Sequence, residues 1–334
     1  MIGLDLAKNT FHVHAVDDRG KAVFSKKLAR THAIIFFSSH PPCIVAMEAC
    51  SGAHFWGNKL RELGHEPRLI SPQYVKPFVK RNKNDAADAE AICEAASRPN
   101  MHFVPLKSRE QLNIQAIHRI RERLVGARTS LVNQVRGFLA EAGFVIPQGI
   151  HKLRKYLLEL ISNPENGLDP FLRDYISDLS TELIDLDEKI AKQDKTIMKI
   201  SLKSEDCRRL RDIPGIGHIT ATAMIAAVGD ATSFKNGRQL SAWVGLTPKQ
   251  HSTGGKATLR GISKRGDPYL RKLLIHGARS VLHYSNKKKD RVSLWLQELQ
   301  NRRGKHKAMV ALANKTARIV WAVLVKQEKY RLAA

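Results

Sequence analysis

Cysteine, aromatic residues and acidic residues are all scarce in this chain of 334 residues. Its four cysteines, Cys43, Cys50, Cys93 and Cys207, form no Cys-x-x-Cys pair, which argues against a disulfide framework or a zinc site. No uninterrupted apolar run reaches the roughly 18 residues of a spanning helix, and the N-terminus lacks a signal-peptide pattern. We therefore expect a protein of the reducing cytoplasm with no membrane partner. Hydrophobic residues make up 43%, enough to bury sizeable cores.

The shortage of acids leaves a large positive charge. Lys and Arg number 56 against 31 Asp and Glu, a formal net charge of +25. Residues 201–334 carry 27 of these cations against 8 acids, whereas residues 1–200 carry 29 against 23. Charge concentrated in this way predicts a nucleic-acid partner. A basic helix on a membrane surface is the alternative, but here the charges alternate with Gly, His and turn residues.

The first hundred residues show the patterns of a mixed α/β sheet. Short apolar or alternating runs predict strands, and a turn at residues 17–20 joins two of them. Ala-rich or amphipathic stretches predict helices between the later strands. The order of three antiparallel strands followed by alternating helix and strand indicates helices on the faces of one sheet. The predicted strands are 2–6, 11–16, 21–28, 43–48 and 66–70, and the predicted helices are 53–63 and 85–96.

Long helices are predicted beyond Pro105. Apolar residues recur every three or four positions over 108–142. Over 171–202 they alternate in steps of four and three, typical of a coiled coil, with Gln193 in one apolar position. The alternative is an ordinary amphipathic helix in a globular core. We predict three parts: an α/β domain at 1–100, a helical coiled-coil module for self-association at 105–202, and a basic, mostly α-helical domain at 203–334, with helices at 219–228, 268–284 and 307–327.

Four acids stand out in the α/β domain. Asp5 lies inside the first strand, where a carboxylate is costly unless it is paired or binds a metal. Glu48 ends a later strand, and Asp85 and Asp88 share one face at the start of a helix. Alone, the two helix acids are explained by capping, and Glu48 by a surface position. Together the four suit Mg²⁺ or Mn²⁺, and two such ions can assist phosphoryl transfer.

The basic domain contains two candidate nucleic-acid features. Ile-Pro-Gly-Ile-Gly at 213–217 is typical of a helix-hairpin-helix turn, in which Gly215 and Gly217 let the backbone approach a phosphate. A plain helix-turn-helix connection is the alternative. Residues 249–266 form a Gly/Ser/Lys-rich stretch in which Ser252 is an accessible serine with no visible activating triad. Predicted phosphate contacts are Gly215, Gly217, Lys256, Arg260, Lys264, Arg265 and Arg271.

The order of the acids resembles the ribonuclease H-like fold of RuvC-type resolvases. Gly-Leu-Asp-Leu-Ala-Lys at 3–8, Met-Glu-Ala-Cys-Ser-Gly at 47–52 and Lys-Asn-Asp-Ala-Ala-Asp-Ala at 83–89 resemble one family more closely. That family is the Asp-Glu-Asp-Asp transposases of insertion-sequence family 110, with the related site-specific DNA invertases. Residues 208–280, including Gly-Leu-Thr-Pro at 245–248, resemble its second block.

This resemblance implies a DNA transposase of the serine recombinase type that excises and inserts a mobile element. It implies that Asp5, Glu48, Asp85 and Asp88 hold the metal and that Ser252 is the nucleophile, with acids and serine supplied by different subunits. Thr253 separates Ser252 from Gly254, where relatives often have Ser-Gly, so Thr253 remains a competitor. The implied partners are DNA, a bridge RNA that serves as guide, and further copies in a dimer or a synaptic tetramer, in the nucleoid-associated cytoplasm of a prokaryote. A metal-dependent junction resolvase without serine chemistry, and a non-enzymatic nucleic-acid-binding protein, are the alternatives.

Overall fold

The structure, a computed structural model, describes residues 1–79, 85–254 and 256–331. The side chains at positions 85, 256 and 257 are outside the described set, as are Lys83 and Asn84 of the third acidic motif and Gly255 of the serine motif. The chain forms two compact units, Met1–Arg109 and Glu110–Ala334.

The first unit is a mixed α/β fold, as the sequence predicts. Its strands are β1 (Ile2–Leu6), β2 (Thr10–Val16), β3 (Ala22–Ala29), β4 (Ile44–Glu48), β5 (Glu66–Ile70) and β6 (Phe103–Val104). Its helices are α1 (Ala33–Ser38), α2 (Ala53–Glu62), α3 (Pro72–Val75) and α4 (Asp85–Ser97), with short 3₁₀ turns at Arg30–His32 and Lys76–Phe78. The short elements α1, α3 and β6 had no clear periodicity in the sequence.

One six-stranded sheet organises this unit, in the order β3-β2-β1-β4-β5-β6. The pairs β1–β2 and β2–β3 are antiparallel, whereas β4 runs parallel to both β1 and β5. Asp17 forms the predicted turn, because its carboxylate accepts from the backbone N–H groups of Arg19 and Lys21. Because β1 and β4 are parallel neighbours, they end side by side at the centre of the sheet.

Alternate residues of the central strands face two different helix layers. Leu4 and Met47 are buried with Trp56 of α2 on one face. Ala46 is buried with Ile92 of α4 on the other. A glycine makes the second contact very close: a Cβ on Gly3 would lie 2.3 Å from the carbonyl oxygen of Ala89 and 2.9 Å from the sulfur of Cys93. Helix α4 thus crosses β1 directly over Gly3.

The second unit begins with three helices, α5 (Arg109–Glu141), α6 (Ile150–Ser162) and α7 (Pro170–Lys203). Helices α5 and α7 run antiparallel, since Arg121 pairs with Asp194 and Arg128 with Asp187. The predicted stripe on α5 is partly displaced, because two of its members, Ile120 and Phe138, are exposed. Most of the apolar seam of α7 is buried within the chain in one cluster with α5 and α6, through Leu172, Ile176, Leu179, Leu183, Leu186 and Ile190.

The rest of the second unit is mostly helical, also as predicted. Its helices are α8 (Glu205–Arg211), α9 (His218–Val228), α10 (Gly237–Trp243), α11 (Pro268–Ser285), α12 (Arg291–Arg303) and α13 (Lys305–Lys326), and a 3₁₀ turn lies at Ala231–Ser233. The stretch read as a Gly/Ser/Lys-rich loop is instead an antiparallel two-stranded hairpin, β7 (Pro248–Thr253) and β8 (Lys256–Ile262). It shows no apolar alternation, because the described residues of β7 are exposed on both faces.

Helix α13 is the one helix of the described chain that is long and apolar enough to cross a membrane. Half of that apolar segment is buried inside the fold. Ala308, Leu312, Ala313, Ala317 and Val320 belong to the apolar core formed by α8 to α13. Its composition is that of a core helix.

Candidate active site and nucleic-acid surface

Asp5 and Glu48 lie at adjacent strand ends. Leu4 pairs with Met47 in the parallel β1–β4 register, so the next residues along the two strands, Asp5 and Glu48, are neighbours. Both follow residues that face α2, and side chains alternate along a strand, so both carboxylates point to the α4 side of the sheet. The sheet topology therefore groups two of the four predicted acids.

Helix α4, which packs on the same face of the sheet, carries a third candidate acid, Asp88. Asp88 immediately precedes Ala89, whose carbonyl oxygen contacts the backbone at Gly3, two residues before Asp5. The side chain of Asp88 is half-buried, like those of Asp5 and Glu48. Asp85 is the first residue of α4, and its side chain lies outside the described set. The close contact at Gly3 thus sets where the helix acids lie relative to β1.

The negative charge of the strand acids reaches a thiol that the sequence did not single out. The pKa of the Cys50 thiol is raised by burial first, and then by the charges of Glu48 and Asp5. His12 is a second neighbour: it pairs directly with Asp5 in the antiparallel β1–β2 register and so shares its face. The alternation at residues 11–16 was the signal for this placement. Among the described side chains, no three His, Cys, Asp or Glu residues are close enough to hold an ion together.

Ser252 lies on β7 with its side chain exposed to solvent. Its hydroxyl accepts a hydrogen bond of 2.8 Å from the amide of Gln250, two residues earlier on the same face of the strand. Thr253 is also exposed but faces the opposite side of the ribbon, by the alternation of a strand. Ser241, in contrast, is fully buried, which leaves it inaccessible to a substrate.

The base of this hairpin is closely packed. The backbone N–H of Ser263 donates to Thr247, and that of Lys264 donates to Gly245. A Cβ on Gly266 would lie only 1.9 Å from the carbonyl oxygen of Trp243, so no larger residue fits there. The Arg271 guanidinium donates to the carbonyls of Val244 and Gly266, at 3.0 and 3.2 Å. This places Arg271 in the support of the hairpin.

The other predicted phosphate contacts differ in their surroundings. Arg260 on β8 and Lys264 and Arg265 beyond it are exposed. Lys264 has a positive φ of 57°, which is unusual for a residue with a side chain. The side chain of Lys256 lies outside the described set. The structure therefore gathers at least three exposed cations at and just beyond the hairpin.

The turn at residues 212–217 joins α8 to α9. Gly215 has a φ of 88°, and a Cβ there would lie 2.8 Å from the carbonyl oxygen of Gly277 in α11, so backbone packing explains this glycine. A Cβ on Gly217 would meet nothing within 4 Å, which leaves the start of α9 open. Beside the turn is a cavity of about 430 Å³ lined in part by Pro214, Lys287 and Lys288.

Comparisons with known proteins identify the family of this chain. Residues 207–293 match the model of the "Transposase IS116/IS110/IS902 family", and residues 2–144 match a transposase model named for the DEDD transposases of IS110. A "Probable family 20 transposase" of Pseudomonas aeruginosa is 50% identical over 99% of this chain and 98% of its own length.

Two further relatives are named for their mobile elements. The "Transposase for insertion sequence element IS1111A" of Coxiella burnetii is 44% identical over 100% of this chain and 92% of its own length. The "Transposase for insertion sequence element IS1328" of Yersinia enterocolitica is 42% identical, over 97% and 96% respectively. The protein is thus a DNA transposase, an enzyme that acts on DNA. It belongs to the IS116/IS110/IS902 family of transposases.

Proposed function

We propose that this transposase excises and site-specifically inserts a mobile element by combining an acidic metal site with covalent catalysis by Ser252. The observation that carries the proposal is the placement of Asp5 and Glu48 on adjacent strand ends, on the face of the sheet against which α4, the helix that carries Asp88, packs. The strand order supports a RuvC-like, ribonuclease H-like domain, since a three-stranded antiparallel meander continues into two parallel strands.

The acids fit a hard divalent cation such as Mg²⁺ or Mn²⁺. Carboxylates are its preferred protein ligands, and Mg²⁺ is usually held by only one or two of them together with waters and substrate phosphates. Asp5 and Glu48, neighbours at adjacent strand ends, would supply that pair. Asp85 and Asp88 would complete the set from α4. When bound, the ion polarises the scissile phosphate.

Ser252 acts as the nucleophile in this proposal. Its oxygen forms a bond to phosphorus while the bond from phosphorus to one deoxyribose oxygen breaks, and the released strand end takes up a proton as a hydroxyl. The phosphoserine ester keeps the bond energy, so attack by a strand hydroxyl rejoins DNA and regenerates the serine. Exposure of Ser252 on a ribbon with a closely packed base supports this role, as do the nearby cations Arg260, Lys264 and Arg265.

Sequence reading is delegated to a bridge RNA that pairs with donor and target DNA. A protein that works in this way needs contacts to nucleic-acid backbones more than to bases. The basic last two fifths of the chain, the open start of α9 at Gly217 and the lysines beside that turn support such contacts. In this proposal residues 213–217 act as a helix-hairpin-helix turn. Because the transposase acts on chromosomal DNA, we infer that it works in the prokaryotic cytoplasm, associated with the nucleoid.

Several copies act together in the proposal, as a dimer and as a tetramer in the synaptic complex. Because the seam of α7 is largely buried within the chain, we infer that another surface of residues 105–202 joins the copies. Leu158, Phe171 and Tyr175 are large apolar residues exposed on α6 and α7, and the rings of Phe171 and Tyr175 pack at 4.8 Å. Exposed aromatic and aliphatic side chains of this kind are typical of protein interfaces.

The decisive experiment traps the protein on cleaved DNA. Purified full-length protein, its RNA and labelled element ends are incubated with Mg²⁺, and covalent adducts are mapped by mass spectrometry. Ser252→Ala should lose both the adduct and strand cleavage, while the matched Thr253→Ala keeps them. If Ser252→Ala still cleaves, the chain is a metal-dependent nuclease of the junction-resolvase type and the serine mechanism is wrong.

A mixing experiment tests the acids and the division of labour between copies. Asp5→Asn and Ser252→Ala should each be inactive alone. If acids and serine come from different copies, a mixture of the two variants regains part of the recombination activity. Full activity of Asp5→Asn and of Glu48→Gln would rule out the metal site and leave a nucleic-acid-binding role.

A further inference from the structure

A cleft of about 720 Å³ lies between the first turn of α10 and the helices α12 and α13. None of its residues belongs to a motif that the sequence singled out. The packing that shapes it is close: a Cβ on Gly237 would lie 2.8 Å from the carbonyl oxygen of Arg318 and 2.9 Å from its Cα. Helix α10 therefore rests directly on the backbone of α13 at one side of the cleft. Its volume is within the range of sites that bind small ligands.

The charge of the cleft has one sign. Arg238, Lys315 and Arg318 line it, and no Asp or Glu is among its lining residues. Within the described part of the chain, none of these three cations forms an ion pair with a carboxylate. Cations gathered without a counter-ion raise the local concentration of anions, so the expected occupant carries negative charge.

An indole ring forms part of the wall. Trp295 on α12 is half-buried, and the Lys315 ammonium lies 4.8 Å from the centre of its ring. A second indole, Trp321, is fixed in the wall because its N–H donates to the carbonyls of Ala231 and Phe234, at 3.1 and 3.0 Å. Tryptophan faces bind flat π-systems and cations, and bases stack on them without regard to sequence.

We propose that this cleft binds one unpaired nucleotide of a single strand, with its phosphates at Arg238 and Arg318 and its base against Trp295. Lys315 covers the indole when the cleft is empty and moves to a phosphate when the base takes its place. A duplex keeps its bases stacked and presents only its backbone, so it gains little from the indole. The chemistry, a base with flanking phosphates, is common to RNA and DNA strands.

The test measures binding of labelled oligouridine, oligothymidine and a DNA duplex of equal length to the full chain, in the Ser252→Ala background so that no cleavage intervenes. Arg238→Ala with Arg318→Ala is compared with Lys305→Ala with Lys307→Ala, which removes the same charge from α13 outside the cleft. We expect the cleft pair to weaken single-strand binding about tenfold and the control pair much less. Trp295→Leu should weaken it at least about fivefold.

Circular dichroism and thermal unfolding establish that each variant folds. Should Trp295→Leu fail to fold, the exposed arginine pair decides the outcome alone. The proposal would be overturned if the two double variants lost the same single-strand affinity, or if the cleft variants lost as much affinity for the duplex as for single strands. Loss with oligouridine alone assigns the cleft to RNA, loss with oligothymidine alone assigns it to DNA, and either outcome supports it. Binding is measured without strand cleavage, so failure here leaves the serine mechanism untouched.

Discussion

A buried histidine makes the stability of the second unit depend on pH. His118 on α5 lies between Tyr269 of α11 and Thr222 of α9, with both ring nitrogens 2.9 Å from a hydroxyl oxygen. The Thr222 hydroxyl also lies 2.8 Å from the carbonyl of His218, so it donates there and accepts from Nε2–H of His118. The Tyr269 hydroxyl then donates to Nδ1. In this network the imidazole of His118 is neutral, and its hydrogen bonds connect α5 with α9 and α11.

Burial lowers the pKa of His118 to about 4, with smaller contributions from the positive charges of Arg121 and Arg119, while Glu122 acts in the opposite direction. The unfolded chain has the ordinary value of 6.5. Below pH 6.5 the unfolded state therefore binds a proton that the folded state does not, and the folded state loses stability as pH falls. At about 1.36 kcal/mol per pKa unit, the loss is about 2 kcal/mol at pH 5 and about 3 kcal/mol at pH 4. Above pH 6.5 the contribution is complete.

The assay is the free energy of opening of α9 amides, measured by hydrogen exchange with mass spectrometry at pH 7.5 and 5. His118→Phe should cost about 1–3 kcal/mol at pH 7.5, because two hydroxyls lose a partner. At pH 5 the gap in opening free energy between wild type and variant should be about 2 kcal/mol smaller, since the variant has no imidazole to protonate. His54→Phe is the control: burial, followed by Lys107, lowers the pKa of His54 to about 4, but it belongs to the first unit. A difference between wild type and His118→Phe that is the same at both pH values would refute the reasoning.

The remaining predictions concern backbone contacts and one shared carboxylate. Gly3→Ala should lower the free energy of unfolding of the first unit by about 1–3 kcal/mol and abolish strand cleavage, because the new methyl forces α4 away from β1. Gly137→Ala, in open space on α5, should instead raise the melting temperature. Gly266→Ala should reduce cleavage while the first unit keeps its melting behaviour, since only the base of the hairpin is disturbed. Asp187→Asn should lower the stability of the α5–α7 bundle by about 1 kcal/mol, measured by urea unfolding, because this carboxylate pairs with an arginine on each of α5 and α6.

Strands with a strong pattern could be predicted from the sequence, and the exposed hairpin could not. The runs at 2–6 and 43–48 agree with β1 and β4, because strands buried in the middle of a sheet leave an apolar signature. The hairpin of Ser252 has solvent on both faces, so hydrogen bonding and turn geometry hold it without an apolar pattern. The period of α7 was also informative, but periodicity does not say whether the partner helix is in the same chain. Here much of the seam packs on α5 and α6.

The candidate acids were easier to identify from the sequence than their arrangement in the fold. Position within a strand identified Asp5, and strand order then placed Glu48 beside it. The packing of α4 on β1 depends on Gly3, and the need for a glycine there is visible only from its contact with α4. The cleft at Trp295 escaped sequence analysis because α10, α12 and α13 each contribute isolated residues, with no spacing that connects them.

The position of α13 in the core has a consequence for synthesis of the protein. The first unit, with the strand acids, is complete by Arg109, and domains of this kind generally fold as the chain emerges. The core around α8 to α11 includes Val320 and Val323, near the end of α13. The apolar core of the unit that carries Ser252 is therefore complete only after α13 has been synthesised. A product terminated before α13 would keep the whole first unit but lack part of the core of the second, so we expect such a product to have no transposition activity.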